Sequence, residues 1–256
     1  MTEATSPAAP HWRYQNLRAQ LCGSLSALLD LQDLAHGLQG LRTNAREIPG
    51  HVLGCRWPLA EAATLLVRRP LDVYFREGRL AAVFGPHSDA PWRVQLDWNL
   101  SRTGSEGVLA IDLTLSLQTD LWEAYPEIIC QSSLPGWQPQ VWRGDAAEEG
   151  PLAAADLGEG AAGEVAAVSW QAADPSLPAY VELAYPRDFT HVVRAQDSPV
   201  EAATPPQFWR FSDHFQEKGV IRRLRMRGVW THATVDADVV RQLRQQFLGQ
   251  PLPLST

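Results

Sequence analysis

Lysine is almost absent from this 256-residue chain: Lys218 is the only one among 22 basic side chains. The formal net charge is −7, so the basic footprint that general nucleic-acid binding demands is missing and that class is excluded. Arginine in place of lysine along a whole chain reads more simply as GC-rich coding than as function. Cysteine is scarce as well. Cys22, Cys55 and Cys130 are odd in number and widely spaced, which excludes a disulfide framework and suits small buried thiols in a reducing compartment. No run approaches the roughly 20 apolar residues that cross a bilayer. Residues 1–10 are small and polar with no apolar secretory segment. A cytoplasmic location with no membrane partner is therefore expected.

Signature motifs are missing too. The sequence holds no Gly-Lys-Ser/Thr phosphate loop and no G-x-S-x-G elbow, so phosphate-loop nucleotide binding and serine-hydrolase chemistry have no support. His87-Ser88-Asp89 has two metal-ligand types but no accompanying H-x-x-E-H or C-x-x-C spacing. No cofactor and no metal are expected.

What remains is an ordinary globular composition, 45% apolar and 20% charged, with strong β patterning. Residues 71–84 form two β-rich runs around Glu77-Gly78, a hairpin signal. In the next run Trp92, Val94, Leu96, Trp98 and Leu100 share one face, with Arg93, Gln95, Asp97 and Asn99 on the other. Residues 108–119 alternate in the same way: Leu109, Ile111, Leu113, Leu115 and Leu117 against Ala110, Asp112, Thr114, Ser116 and Gln118. Such period-2 alternation predicts half-buried antiparallel strands, so residues 71–119 read as a four-stranded meander. Runs at 179–185, 189–194, 208–215 and 220–232 repeat the grammar, with Trp209-Arg210 in the place of Trp92-Arg93.

The fold class expected is α+β, mostly antiparallel β. It contains an internal duplication of a four-stranded meander unit, arranged as a pseudo-twofold sheet or sandwich with N- and C-terminal helices. The leucines at 17, 21, 25, 28, 31, 34, 38 and 41 recur at helical spacing. Residues 1–50 are accordingly read as a helical segment, 51–144 as the first repeat, 145–163 as a mobile acidic Ala/Gly linker, and 164–256 as the second repeat. Residues 58–67 read as a short helix entered through Pro58. The C-terminal helix has Asp236 or Asp238 as cap, a face of Val239, Val240, Leu243 and Phe247, and a stop at Gly249.

Three segments together, Ser-Leu-Gln-Thr-Asp at 116–120, Glu-Lys-Gly-Val-Ile-Arg-Arg at 217–223 and Pro-Leu-Pro-Leu-Ser-Thr at 251–256, resemble hypothetical proteins of planctomycete bacteria. The resemblance implies a bacterial, cytoplasmic protein. The family has no assigned activity, so no functional residues carry over.

Three constellations are candidates for function. The alternation over 220–232 puts Arg223, Arg225 and Arg227 on one strand face, where guanidiniums about 7 Å apart repel unless they meet anions. They form either a site for a small anionic ligand or acidic partner, or ion pairs with this chain's own carboxylates, such as Asp213 or Glu182. His214 and His232 flank that strand. Trp122, Trp137 and Trp142 lie in a Pro-rich stretch without periodicity. They either stand exposed, to stack on a sugar or anchor a partner, or tack the loop to the sheet. Trp92, Trp98, Trp209 and Trp230 fall on apolar faces and are assigned to the core. Finally, Asp97 and Asp112 share the polar face of one hairpin, where paired carboxylates serve acid–base chemistry. The leading reading is a non-catalytic binding or scaffold protein with its ligand or protein partner near the arginine strand, between the repeats. A homo-oligomer stays open. The alternative is an enzyme acting on a carbohydrate or acyl substrate through the strand carboxylates and loop tryptophans.

Overall fold

The computed structural model describes residues 9–43, 46–57, 69–76, 78–86, 91–103, 108–144, 153–155, 160–194 and 207–251. The chain opens with five strands where a helix was expected: β1 (His11–Gln15), β2 (Arg18–Cys22), β3 (Leu25–Asp30), β4 (Leu38–Thr43) and β5 (Arg46–Arg56). The helical spacing of the leucines arises from short strands and tight turns. Inside each strand the buried residues alternate, Ala19 and Leu21 in β2, then Leu25, Ala27 and Leu29 in β3, and each turn resets the phase. Asn16 and Leu17 have φ of 51° and 63° and close a two-residue hairpin in which Gln15 faces Arg18. That pair of positive φ values is what a hairpin turn matched to strand twist requires.

The predicted meander is present as β6 (Asp72–Arg76), β7 (Arg79–Phe84), β8 (Trp92–Thr103) and β9 (Val108–Thr119). Strands β8 and β9 pair over twelve residues, Trp98 facing Leu113. The expected second copy is not a meander. After β10 (Glu123–Ala124), β11 (Ile128–Ser133), β12 (Gln138–Arg143), β13 (Ala153–Ala155), β14 (Gly160–Ala161) and β15 (Val165–Gln171) come β16 (Ala179–Ala184), β17 (His191–Arg194), β18 (Gln207–Phe211), β19 (Gln216–Glu217) and β20 (Ile221–Thr231). Of these, β16 and β20 lie in one sheet while β17 and β18 lie in the other. Pro186, which has no N–H for a ladder, and the turn closed by Asp188 N–H on the Tyr185 carbonyl (3.0 Å) take the chain out of the first sheet. Similar local patterning therefore sends the two segments to different places, and the duplication is not seen in the topology.

Two nine-stranded sheets result, in the orders β1-β2-β3-β4-β5-β11-β18-β17-β14 and β13-β12-β15-β16-β20-β9-β8-β7-β6; β10 and β19 form a separate pair. Every pairing among the described strands is antiparallel. The acidic linker is not all loop: β13 edges the second sheet and β14 the first. The helix read at 58–67, and His87 to Asp89, lie outside the described residues. No helix among the described residues is long and apolar enough to cross a membrane.

Both sheets contribute to one core. Tyr180 lies between Trp170 (5.3 Å) and Trp230 (4.7 Å), and Trp137 meets Trp230 edge-on at 6.1 Å. The C-terminal helix α1 (Ala237–Leu248) begins as predicted, the Asp236 carboxylate accepting from the N–H groups of Asp238 and Val239. Its buried Val240, Leu243 and Phe247 cover the outer face of the second sheet, against Val181, Leu183, Val229 and Trp142. Burying each such side chain contributes about 1.5–3 kcal/mol. Coverage on both faces explains why β16 is buried at all six positions and reads as a continuous apolar run.

Gly228 faces Glu182 across the β16–β20 ladder, and a Cβ there would stand 2.5 Å from the Tyr180 hydroxyl. We expect Gly228→Ala to destabilise the fold by about 1–3 kcal/mol through overpacking, measured as a lowered denaturant midpoint. An unchanged midpoint would show that Tyr180 can move without cost.

Candidate functional site

The register of the second sheet assembles a polar outer face from four strands. One row across it reads Arg79, Asn99, Asp112, Arg227, and the next Ala81, Asp97, Thr114, Arg225. Because side chains alternate along each strand, these residues project to one side while Leu113, Leu115, Leu224 and Met226 are buried in the core. Asp97 and Asp112 are diagonal neighbours, as their shared hairpin face predicted.

Each guanidinium in the cluster meets a carboxylate. Arg79 donates to Asp97 Oδ1 through Nε (2.8 Å) and Nη2 (2.6 Å), and the Gln95 amide donates to Asp97 Oδ2 at 2.9 Å. Arg227 grips Asp112 with both prongs, at 2.6 and 3.0 Å, and is fully buried beneath Phe247. Arg225 donates through its backbone N–H (2.9 Å) and Nε (3.1 Å) to Asp188, and its guanidinium lies 3.4 Å from the centre of the Tyr185 ring. Burial pushes the Asp188 carboxyl above its ordinary value, and Arg225 offsets part of that rise. A cleft of about 440 Å³ opens over this face, with Asp97, Asn99, Asp112, Thr114 and Arg225 among its polar lining and Phe247 and Pro251 forming an apolar rim.

The structure joins only part of what the sequence singled out. Arg225, Arg227, Asp97 and Asp112 converge here. Arg223 is half-buried on the same face, one row further along opposite Ser116. Arg225 pairs with Asp188 and Arg227 with Asp112, while Asp97 takes Arg79. Glu182 points into the core instead. Trp137 and Trp142 are core residues, 5% and 6% exposed, and the Trp142 indole N–H donates to Ser169 at 2.9 Å. Trp122 does stand out at 80% exposure, with the Lys218 ammonium 5.0 Å from its ring, but it belongs to the β10–β19 corner. His214 is exposed there too, stacked on Phe211 at 5.1 Å, and His232 is exposed beyond the end of β20.

Arg79, Asn99, Thr114, Asp188 and Phe247 were not anticipated. A fixed register for the meander would have found the first three, because cross-strand partners follow from it. Asp188 and Phe247 come from a turn and a helix whose docking no local pattern encodes. Cys55 and Cys130 are buried cross-strand partners with sulfurs 3.6 Å apart, and the Cys55 contact and burial push Cys130 up. Among the described residues no group of three His, Cys, Asp or Glu side chains is placed to hold a metal.

No protein-family model matches the sequence, and no curated protein matches it. Solved structures are similar over most of the chain at low identity. A proposed aldose 1-epimerase from Klebsiella pneumoniae subsp. pneumoniae matches with a TM-score of 0.48 and 8% identity, covering 93% of this chain and 86% of that one. The protein HI1317 matches with a TM-score of 0.42 and 11% identity, covering 88% of this chain and 98% of its own.

Proposed function

We propose that the chain binds a small neutral polyhydroxylated molecule, carbohydrate in class, in the cleft on the outer face of the second sheet. One observation carries this reading: three arginine–carboxylate pairs on adjacent strands already neutralise one another along the cleft. A free anion would have to displace Asp97, Asp112 or Asp188 from its guanidinium, which is costliest at the bidentate, buried Arg227–Asp112 pair. A hydroxyl displaces nothing. Each carboxylate offers about four lone-pair sites, and Arg227 occupies only two on Asp112. A sugar hydroxyl can donate to what is left while accepting from the Asn99 amide, with its C–H face against Phe247.

Isothermal titration with a panel of mono- and disaccharides tests this. Asn99→Ala and Thr114→Val should each weaken the best ligand by about three- to tenfold, the worth of one hydrogen bond, with little change in melting temperature. Binding of inorganic phosphate alone, with no saccharide bound, would overturn the proposal.

A second reading rests on the diagonal placement of Asp97 and Asp112. Diagonal positions on such a ladder lie about 7–8 Å apart along the backbone, on the scale of the spacing between the carboxyl pair of inverting glycoside hydrolysis. Turnover of the bound sugar would support it. Binding without turnover leaves the protein a non-catalytic receptor.

A further inference from the structure

A second cleft, of about 510 Å³, lies at one end of the sandwich where the two sheets meet. It opens between the 3-10 turn Leu34–His36, which joins β3 to β4, the end of β5 and Phe84 at the end of β7. Four polar side chains line it: Gln32, Asp33, His36 and Arg56. The Asp33 carboxylate lies 2.6 Å from His36 Nδ1, and both side chains are about half exposed. An aspartate on Nδ1 orients the imidazole and leaves Nε2 to act on whatever enters. Behind it, His51 meets the His36 ring edge-on at 5.1 Å. Burial, then His36 and Arg56, push His51 down to about 4, so at neutral pH it adds no charge. Trp57 and Phe84 are 5.4 Å apart and form an aromatic wall.

The backbone under this cleft is held in costly conformations. Gly37 has φ of +53°, and a Cβ there would meet the Val52 carbonyl at 2.4 Å; at Gly54 a Cβ would meet the Ala35 carbonyl at 2.1 Å. The turn carrying Asp33 and His36 is thus pressed onto β5 backbone to backbone, and the Gln131 amide pins it by donating to the Ala35 carbonyl at 2.6 Å. Leu53, fully buried, has φ of +55°, and the β5–β11 register shifts at this point. A branched residue in the left-handed region costs about 1–3 kcal/mol and gathers at ligand sites, and register shifts re-aim the side chains that follow. Here those are Cys55, Arg56 and Trp57.

From this arrangement we infer that the end cleft binds a small organic anion, a carboxylate or phosphate monoester on a ring-sized apolar body. Arg56 receives the anionic group, His36 backed by Asp33 hydrogen-bonds beside it, and the body lies along Trp57 and Phe84. Unlike the arginines of the sheet face, Arg56 is exposed and is opposed across its cleft by an aspartate already committed to a histidine.

Phenyl phosphate and benzoate are the probes, titrated calorimetrically into the full chain, with inorganic phosphate as the bodiless control. Phenyl phosphate or benzoate should bind at least about tenfold more tightly than inorganic phosphate. Arg56→Gln and His36→Gln should each weaken that binding by about tenfold or more, the scale of a lost charge-assisted hydrogen bond. Both are surface changes that should leave the melting temperature in place, and Asn99→Ala, in the other cleft, should leave the affinity unaltered. Whichever probe binds more tightly distinguishes a phosphate ester from a carboxylate. Absence of binding by both probes, or affinity undiminished in Arg56→Gln, overturns the inference.

Discussion

Glu182→Leu should lower the stability of the fold by about 3–5 kcal/mol at neutral pH, the cost of leaving several buried polar groups without their shared partner. Glu182 is fully buried on β16, and its carboxylate collects the Trp209 indole N–H at 2.7 Å, the Tyr180 hydroxyl at 2.9 Å and the Ser132 hydroxyl. Trp209 and Ser132 belong to the first sheet and Tyr180 to the second, so one side chain ties the layers together. Leucine fills much of the volume but accepts nothing. Guanidinium denaturation reads the loss as a shifted midpoint, and a midpoint within experimental error of the parent would show that the tie contributes nothing.

The same residue makes stability depend on pH in an unusual direction. Burial raises the Glu182 carboxyl from 4.5 to about 6, and its three hydrogen bonds resist that rise. The folded state thus holds a proton that the unfolded chain releases at lower pH. The associated stability is complete below about 4.5 and is lost as pH rises through about 6, a change of about 2 kcal/mol. Asp188, also raised by burial, acts with the same sign. Glu182→Gln keeps an acceptor for Trp209 without a charge, so it should flatten this segment of the stability–pH curve and cost little at pH 7.5. A Gln variant with the parent's slope would place the titration elsewhere.

The second large effect is expected at Arg227. Arg227→Ala removes a fully buried guanidinium, leaves the Asp112 carboxylate unpaired with its side chain only 13% exposed, and opens a void under Phe247. A loss of about 3–5 kcal/mol follows from stranding a buried charge. The double change Arg227→Met with Asp112→Asn should recover most of it, because neither residue is then charged and the methionine stem fills the void. Arg227 Nη1 is buried without a partner among the described residues, so the native pair is itself incompletely satisfied and a neutral replacement forfeits little. A double-mutant cycle measures the coupling. If Arg227→Met alone is as stable as the double variant, the loss comes from packing and not from the stranded charge.

Period-2 alternation was sufficient wherever a strand has one buried and one open face. It located β8 and β9 and put Asp97 beside Asp112, and the capping Asp236 with the Val240, Leu243 and Phe247 stripe located α1. It misled where tight turns came close together. Between Leu17 and Leu41 the leucines keep a three-to-four spacing only because the tight turn after Cys22 and the connection through the Leu34–His36 3-10 turn interrupt short strands, so a local window cannot separate that pattern from a helix.

The self-neutralised charge of the sheet face lay equally beyond local reading. The −7 balance of the chain implied that carboxylates were available for the arginine strand, yet their identity depended on which strands became neighbours. Strand β20 joined β9, not a second meander, and so Arg227 met Asp112. The end cleft shows the same limit: Asp33 and His36 are three residues apart, but their proximity to Arg56 and Phe84 exists only once a turn is pressed against β5 and two sheets close on one another. Side-chain periodicity alone specifies the β class, the long strands of the first meander, the C-terminal helix and the aromatic core. Strand order, charge partners and both clefts were decided by the tertiary structure, because contacts between distant segments are selected by the fit of whole faces.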